Sequence, residues 1–295
     1  LSYRTRILIK LFMPKNVSKV KDFKKLLRVF KGYARSRGFG IVEYLDAVSK
    51  TDEHHFRIFE SHDCWGFESV GAQMALLLPP FAAGQCKGIE MEKRDWNGVE
   101  TKCIGLGDPY CEFKLVPGEI DELKDSMQKE SSVVERIHDR LMHRLMVFLL
   151  EGKPLVERTR LGSDVYMEAL SHAMGLPAMV SERYRMALRM GGVKAGKKIE
   201  EELKEAGLGE EEAIKRVFHF LEHCKVGKVT VNETIRIREN RESTWTKGWT
   251  SKWEEPCCFF TTGFFNGFFS AAKNQHVKET KCIAMGDPYC EWEFR

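Results

Sequence analysis

The feature that most restricts this chain is a repeat. Glu100-Thr-Lys-Cys103-Ile-Gly-Leu-Gly-Asp-Pro-Tyr-Cys111-Glu-Phe returns 179 positions later as Glu279-Thr-Lys-Cys282-Ile-Ala-Met-Gly-Asp-Pro-Tyr-Cys290-Glu-Trp, with eleven of the fourteen positions identical. The same offset pairs Phe81 with Phe260, Gly84 with Gly263 and Gly88 with Gly267. Farther upstream, at a changed offset, Arg28-Val-Phe30 resembles Arg216-Val-Phe218. Self-similarity on this scale means duplication. With 295 residues, 43% of them hydrophobic, the chain has material for two domains, each with its own core.

Both copies read as α+β in the same order. An amphipathic helix (Val20 to Tyr33; Glu210 to His223) precedes a strand pair (Gly40 to Leu45 and His55 to Glu60; Val226 to Val231 and Thr234 to Arg238). A second helix follows, Pro80 to Glu92 or Cys258 to Ala272, and the cysteine hairpin closes the unit. Between the copies Val133, Val134, Ile137, Leu141, Leu145, Phe148 and Leu149 recur at helical spacing until Gly152 and Pro154 stop the helix. The expected boundaries are therefore 1–118 for a diverged first copy, 119–162 for a helical linker and 163–295 for the second copy. A helical preface, Ser181 to Glu205, precedes the second copy, so the first either lacks an element or takes one from the linker. Two similar domains on one chain can reproduce the contact of a homodimer, and a pseudo-dimer is the expected arrangement.

Charge names no partner. A net charge of +4, from 47 basic and 43 acidic residues, comes without the single-sign tract that would attract nucleic acid or an anionic membrane. Lys15, Lys19, Lys21, Lys24, Lys25 and Arg28 share a helical pattern with Val20, Phe23, Leu26, Leu27 and Phe30, which reads as a solvated helix face or a dock for an acidic protein partner. No segment reaches the ~18 consecutive apolar residues of a membrane-spanning helix, so stable membrane insertion is not expected. The given N-terminus shows no signal peptide, so the expected compartment for the nine cysteines is a reducing cytoplasm, where regular spacing suggests metal binding.

A thiolate is a soft anionic ligand suited to zinc, and a tight turn can present two of the four tetrahedral donors. Gly-Asp-Pro between Cys282 and Cys290 supplies such a turn, and Glu279 lies three residues before Cys282. On a regular strand those two side chains would face oppositely, so Glu279 reaches the same ion only through a kink or bulge. Against a metal stands the reading of these cysteines as small buried hydrophobes or disulfides.

The Glu-x-x-Cys, seven residues, Cys pattern with Gly-Asp-Pro inside resembles the vinyl-4-reductase domain, strongly over Cys257 to Arg295 and Pro80 to Leu115. That family includes sensor domains of aromatic-responsive transcription activators and is similar in fold to TRAPP tethering subunits. The resemblance implies a zinc ion held by the glutamate, the two hairpin cysteines and a third cysteine at the start of the preceding helix, beside a pocket for a hydrophobic small molecule. Carried onto the second copy, it implies Cys258, Glu279, Cys282 and Cys290, with Cys257 as the substitute for Cys258. In the first copy Pro79 occupies the position of Cys258, so Glu100, Cys103 and Cys111 require a fourth donor from Cys64 or Cys86, Cys64 being favoured. Cys224 reads as a core or surface residue.

Four protein ligands close a zinc shell, whereas catalytic zinc keeps a place for water. No dinucleotide, phosphate-loop, nucleophile-elbow or zinc-protease motif is present, so catalysis has no named group. Phe259, Phe260, Phe264, Phe265, Phe268 and Phe269 crowd one helix, where Gly263 and Gly267 allow close approach. These rings read as core or, following the resemblance, as a greasy cavity in which Phe260, Thr261, Phe264, Phe265 and Phe268 meet an aromatic, acyl or polyprenyl group. The matching helix of the first copy carries smaller side chains, including Ala82, Ala83, Gln85 and Cys86, which leave room or admit a partner helix. The leading expectation is a zinc-stabilised sensor or carrier for a hydrophobic small molecule. An enzyme or accessory protein of tetrapyrrole vinyl reduction and a scaffold subunit are the alternatives. Without an attached DNA-binding or ATPase domain, a signal would pass through another protein.

Overall fold

The computed structural model describes residues 23–36, 38–50, 52–75, 78–89, 94–118, 131–162, 178, 181–244 and 253–295. The chain divides into two compact units, residues 1–143 with 156–163 and residues 144–155 with 164–295. The helix expected between the copies forms over Ser131–Glu151, and its residues fall on both sides of that division. Part of the basic N-terminal pattern, through residue 22, lies outside the described residues.

In the first unit α1 (Phe23–Ser36) is followed by β1 (Ile41–Tyr44), β2 (His54–Phe59), α2 (Leu78–Ile89), β3 (Trp96–Lys102) and β4 (Cys111–Pro117). The strands form an antiparallel sheet in the order β1-β2-β4-β3. Helix α2 begins at Leu78, earlier than the sequence suggests, which puts Pro79 and Pro80 in the first turn, where a missing N–H breaks no helical bond. The core runs through Phe30, Phe56, Ile58, Phe113 and Leu115.

The 131–151 helix is α3. The second unit continues with α4 (Glu182–Glu205), α5 (Glu210–His223), β5 (Lys228–Val231), β6 (Thr234–Arg238), the single turn α6 (Arg241–Thr244), α7 (Phe259–Lys273), β7 (Val277–Lys281) and β8 (Cys290–Phe294). Its sheet order, β5-β6-β8-β7, repeats that of the first unit. Together the units make an α+β chain with two four-stranded antiparallel sheets, each closed by a cysteine hairpin.

Local sequence explains these elements. Ile235 and Ile237 are fully buried while Arg236 and Arg238 point outward, the period-two pattern of a half-buried strand. Along α5, Ala213, Val217 and Leu221 bury one stripe, and Glu210, Glu211 and Glu212 complement the positive end of the helix. Helix α4 starts at Ser181, whose hydroxyl accepts from the Tyr184 N–H.

Helices α4 and α7 meet at backbone contact through glycines on both. A Cβ on Gly192 would lie 2.3 Å from the Phe260 carbonyl oxygen, and one on Gly196 would lie 2.1 Å from that of Phe264. Reciprocally, a Cβ on Gly263 would lie 2.2 Å from the Arg189 carbonyl oxygen and one on Gly267 2.0 Å from that of Val193. This crossing fixes the end of α7 from which the cysteine site is built.

Candidate metal centres

The hairpins turn the glutamates inward by a bulge. Glu279 pairs with Trp292 but Lys281 pairs with Glu291, a register shift, and in the first unit the shift falls between Glu100 and Lys102. The extra residue reverses the alternation, so Glu279 and Cys282 reach the same side. Beyond it a short 3-10 turn, Ile283–Met285, ends at Gly286 with φ 104°, and the Asp287 carboxylate accepts from the Cys282 N–H at 2.8 Å. The first unit repeats both devices at Gly107, φ 102°, and at Asp108, 2.9 Å from the Cys103 nitrogen. This is why the motif needs Gly and Asp at those places.

In the second unit Cys258, Glu279, Cys282 and Cys290 place four donor atoms within 4.8 Å of one another, all buried. Two sulfurs on one tetrahedral zinc, each about 2.3 Å from it, stand roughly 3.8 Å apart. Here Cys258 Sγ is 3.9 Å from Cys282 Sγ and 3.5 Å from Cys290 Sγ. Surrounding groups fix the donors. Asn240 Nδ2 donates to Cys258 Sγ at 3.3 Å, the Ser243 hydroxyl lies 3.1 Å from Cys290 Sγ, and Trp292 Nε1 donates to Thr262 Oγ1, which donates to Glu279 Oε2. The other carboxylate oxygen, Glu279 Oε1, is buried without a hydrogen-bond partner.

The first unit gathers Cys64, Glu100, Cys103 and Cys111 in the same way, with Cys64 Sγ 3.9 Å from Cys103 Sγ. Cys86 stands elsewhere, on α2, outside this donor set. Strand pairing explains where Cys64 comes from. Ile58 opposes Cys111 as Ile237 opposes Cys290, so the offset of 179 extends to β2 and β6 and aligns Cys64 with Ser243. Each unit thus brings three cysteines to its centre, the third from the turn after β2 in one unit and from the start of α7 in the other. Glu100 Oε1, like Glu279 Oε1, is buried and unpartnered.

Without a cation these acids share protons unequally. Burial first, then the neighbouring Cys103 charge, pushes Glu100 up to about 9, while hydrogen bonds from Cys111 and Cys64 hold Cys103 well below the usual thiol range. In the second unit burial drives Cys258 and Glu279 upward, and donation from Cys257, Cys258 and Cys290 draws Cys282 down. Soft sulfurs at tetrahedral spacing, each set with an orphaned buried carboxylate oxygen, fit a zinc ion. By contrast Cys224, pushed up to about 12 by burial alone, belongs to no donor set among the described residues.

Glu242 is a residue that sequence reasoning missed. Cys258 precedes α7 without a side-chain cap, and Glu242 supplies one from α6, its carboxylate accepting from the Phe260 and Thr261 N–H groups at 2.7 and 2.8 Å. Burial pushes this carboxyl up to about 7. No spacing rule links positions 242 and 260.

Residues 241–295, which contain α6, α7 and the second hairpin, match the family model of the V4R domain. The C-terminal part of this chain is a V4R domain. The protein MJ0150 of Methanocaldococcus jannaschii is 35% identical over 99 residues, 33% of this chain and 54% of that protein, so the chain spans about half the length of this relative. Among solved structures, the phenol-responsive sensory domain of the transcription activator PoxR, solved with phenol, aligns over 44% of this chain and 74% of its own, at 17% identity and a TM-score of 0.37. A vinyl-4-reductase family protein from Methanocaldococcus jannaschii aligns over 43% and 76%, at 17% identity and a TM-score of 0.29.

In the V4R domain the phenylalanines of α7 pack inward. Phe265 meets Trp292 edge-on at 5.1 Å, Phe269 meets Phe294 at 5.0 Å, and Phe264 and Phe268 stack within one buried cluster. Phe260 is half-buried beside Phe264, and the Thr261 hydroxyl donates to Glu242 at 2.6 Å. In the first unit the smaller side chains of α2 leave a small recess of about 10 Å³, lined by Leu27, Phe30, Phe56, Ala82, Cys86 and Leu115 with Gln85. Among the described residues, no helix is long and apolar enough to cross a membrane.

Proposed function

We propose that this chain is a non-catalytic binding module in which each unit is held by one zinc ion and the small recess under α2 of the first unit widens to receive a hydrophobic small molecule. The observation that carries the reading is the contrast between matching helices. Where α7 fills its unit with phenylalanine, α2 carries Ala82, Gln85 and Cys86 over an apolar floor. Aromatic walls at Phe30 and Phe56 with one amide at Gln85 suit a ligand that is mostly apolar and carries a single hydrogen-bonding group. The zinc proposal rests on the two donor sets, each of three cysteines and one glutamate. Four protein donors leave no open position for substrate, so the metal's part is structural.

The test has two readouts. Elemental analysis of protein never exposed to chelator is expected to give two equivalents of zinc, and fewer than two would sink the reading of one ion per unit. Native mass spectrometry followed by gentle denaturation is expected to release an aromatic, acyl or polyprenyl compound, and Ala82→Leu, which fills the recess, to abolish its retention. A released tetrapyrrole would favour the vinyl-reduction alternative, and protein with no ligand but a stable protein partner would favour the scaffold.

A further inference from the structure

The second centre has one thiol more than four-coordination needs. Cys257 is buried, 4% exposed, and its Sγ lies 3.9 Å from Cys282 Sγ, the same separation that Cys258 keeps. Cys257 stands outside the mutually close set of Cys258, Glu279, Cys282 and Cys290, yet it touches one member. The donor it would compete with is the hardest of the four. Glu279 offers the centre an oxygen with no hydrogen-bond partner, and its second oxygen already accepts from Thr262.

We infer that Cys257 is an exchange ligand for Glu279, so that the second centre alternates between a shell of three sulfurs with one oxygen and a shell of four sulfurs; this rests on the reading of the cluster as a zinc site. In the exchange Cys257 gives its thiol proton to the departing Glu279 carboxylate, and its sulfur takes the coordination position that the oxygen leaves. One metal–oxygen bond breaks and one metal–sulfur bond forms. The charge of the shell is unchanged, and no oxidant or reductant is needed. Zinc accepts both donors, and a tetrahedral site gains softness by the replacement. Thr262 can keep its hydrogen bond to the carboxylate after it protonates, which gives the released side chain a place to rest. The first centre has no such option, because the position matching Cys257 is Leu78.

The test counts zinc in the purified full chain. Wild type, Cys257→Ser and Glu279→Gln are each expected to hold two equivalents, the double variant C257S/E279Q one, and Glu100→Gln one. Two equivalents in C257S/E279Q, or one in E279Q, would overturn the inference. Wild type with fewer than two would instead overturn the metal reading beneath it. In case E279Q fails to fold, chelator-driven release from C257S is a second arm. The second centre should release zinc about tenfold faster than in wild type because a departing glutamate is no longer replaced, and the first centre should be unchanged. Equal release from the second centre in wild type and C257S would also overturn the exchange.

Discussion

Glu242 accepts both the backbone N–H and the hydroxyl of Thr261, at 2.8 and 2.6 Å, inside the protein. The pair holds the first turn of α7, and with it Cys258, against the hairpin. Glu242→Ala would leave the N–H groups of Phe260 and Thr261 buried without partners. The expected cost is about 1–3 kcal/mol, together with faster hydrogen exchange over the start of α7 and weaker zinc retention in the second unit. Denaturant unfolding and exchange mass spectrometry would check this; exchange at α7 unchanged from wild type would remove Glu242 from its role.

The α4–α7 crossing makes a sharper steric prediction. Gly263→Ala and Gly196→Ala place a methyl group within about 2.2 Å of a carbonyl oxygen on the facing helix, so the helices must separate, at a cost of about 1–3 kcal/mol each. Gly191→Ala, one residue from the contact, meets nothing within 4 Å and should stabilise α4 by about 0.5–1 kcal/mol. Thermal unfolding of the three variants separates helix propensity from close approach. Equal behaviour of the three would refute the crossing.

Residues close in sequence were the ones that sequence could read. The hairpin, its Gly-Asp turn and the strand pairs follow from local chemistry, and α5 and β6 run over Glu210–His223 and Thr234–Arg238, the spans that periodicity gives. What spacing could not supply was distance across the fold. Nothing local to Gly263 identifies Arg189 and Gly192 as its neighbours on the facing helix, and nothing ties Glu242 to α7. The alignment of Cys64 with Ser243 was hidden because upstream similarity fades, and only strand pairing restores the common offset. The rings of α7 were ambiguous for a physical reason: an apolar helix face looks the same whether it meets a ligand or Trp292.

Zinc binding should be strongly pH-dependent, with a definite sign. In the metal-free chain Glu100 is raised to about 9, chiefly by burial, and Cys111 to about 12, so both hold protons at neutral pH and zinc must displace them. Affinity therefore rises with pH and is lost on acidification. The metal-free protein should show the opposite slope. A carboxyl whose folded value is raised contributes stability below its unfolded value near 4.5, and that contribution is lost as pH rises through about 9. Competition with a chromophoric chelator at pH 6.5 and 8, beside unfolding curves of both forms, would check the pair of slopes. Zinc affinity independent of pH would show that these residues are not the ligands.

The two centres should differ in strength, and their third cysteines should be exchangeable by position. In the second unit Trp292 and Thr262 orient Glu279, and Cys258 begins the helix that lines the site. At the offset of 179 the first unit has Phe113 and Ala83 in place of that tryptophan and threonine, and Pro79 in place of the cysteine. Its third sulfur comes from a separate turn, whose ordering adds an entropic cost. A chelator titration should accordingly empty the first centre before the second, and a single release phase would contradict this. Cys64→Ser should remove zinc from the first centre alone, and C257S/C258S, which takes away both thiols before α7, from the second alone. The decisive variant restores a ligand at the other position. Ser243 occupies the place of Cys64, with its oxygen 3.1 Å from Cys290 Sγ, so a sulfur there stands beside the same donors. C257S/C258S is expected to hold one equivalent of zinc and S243C/C257S/C258S two. If the triple variant still holds one, the turn after β6 cannot serve as a ligand position, and the proposed interchange of the third cysteine between the two units fails.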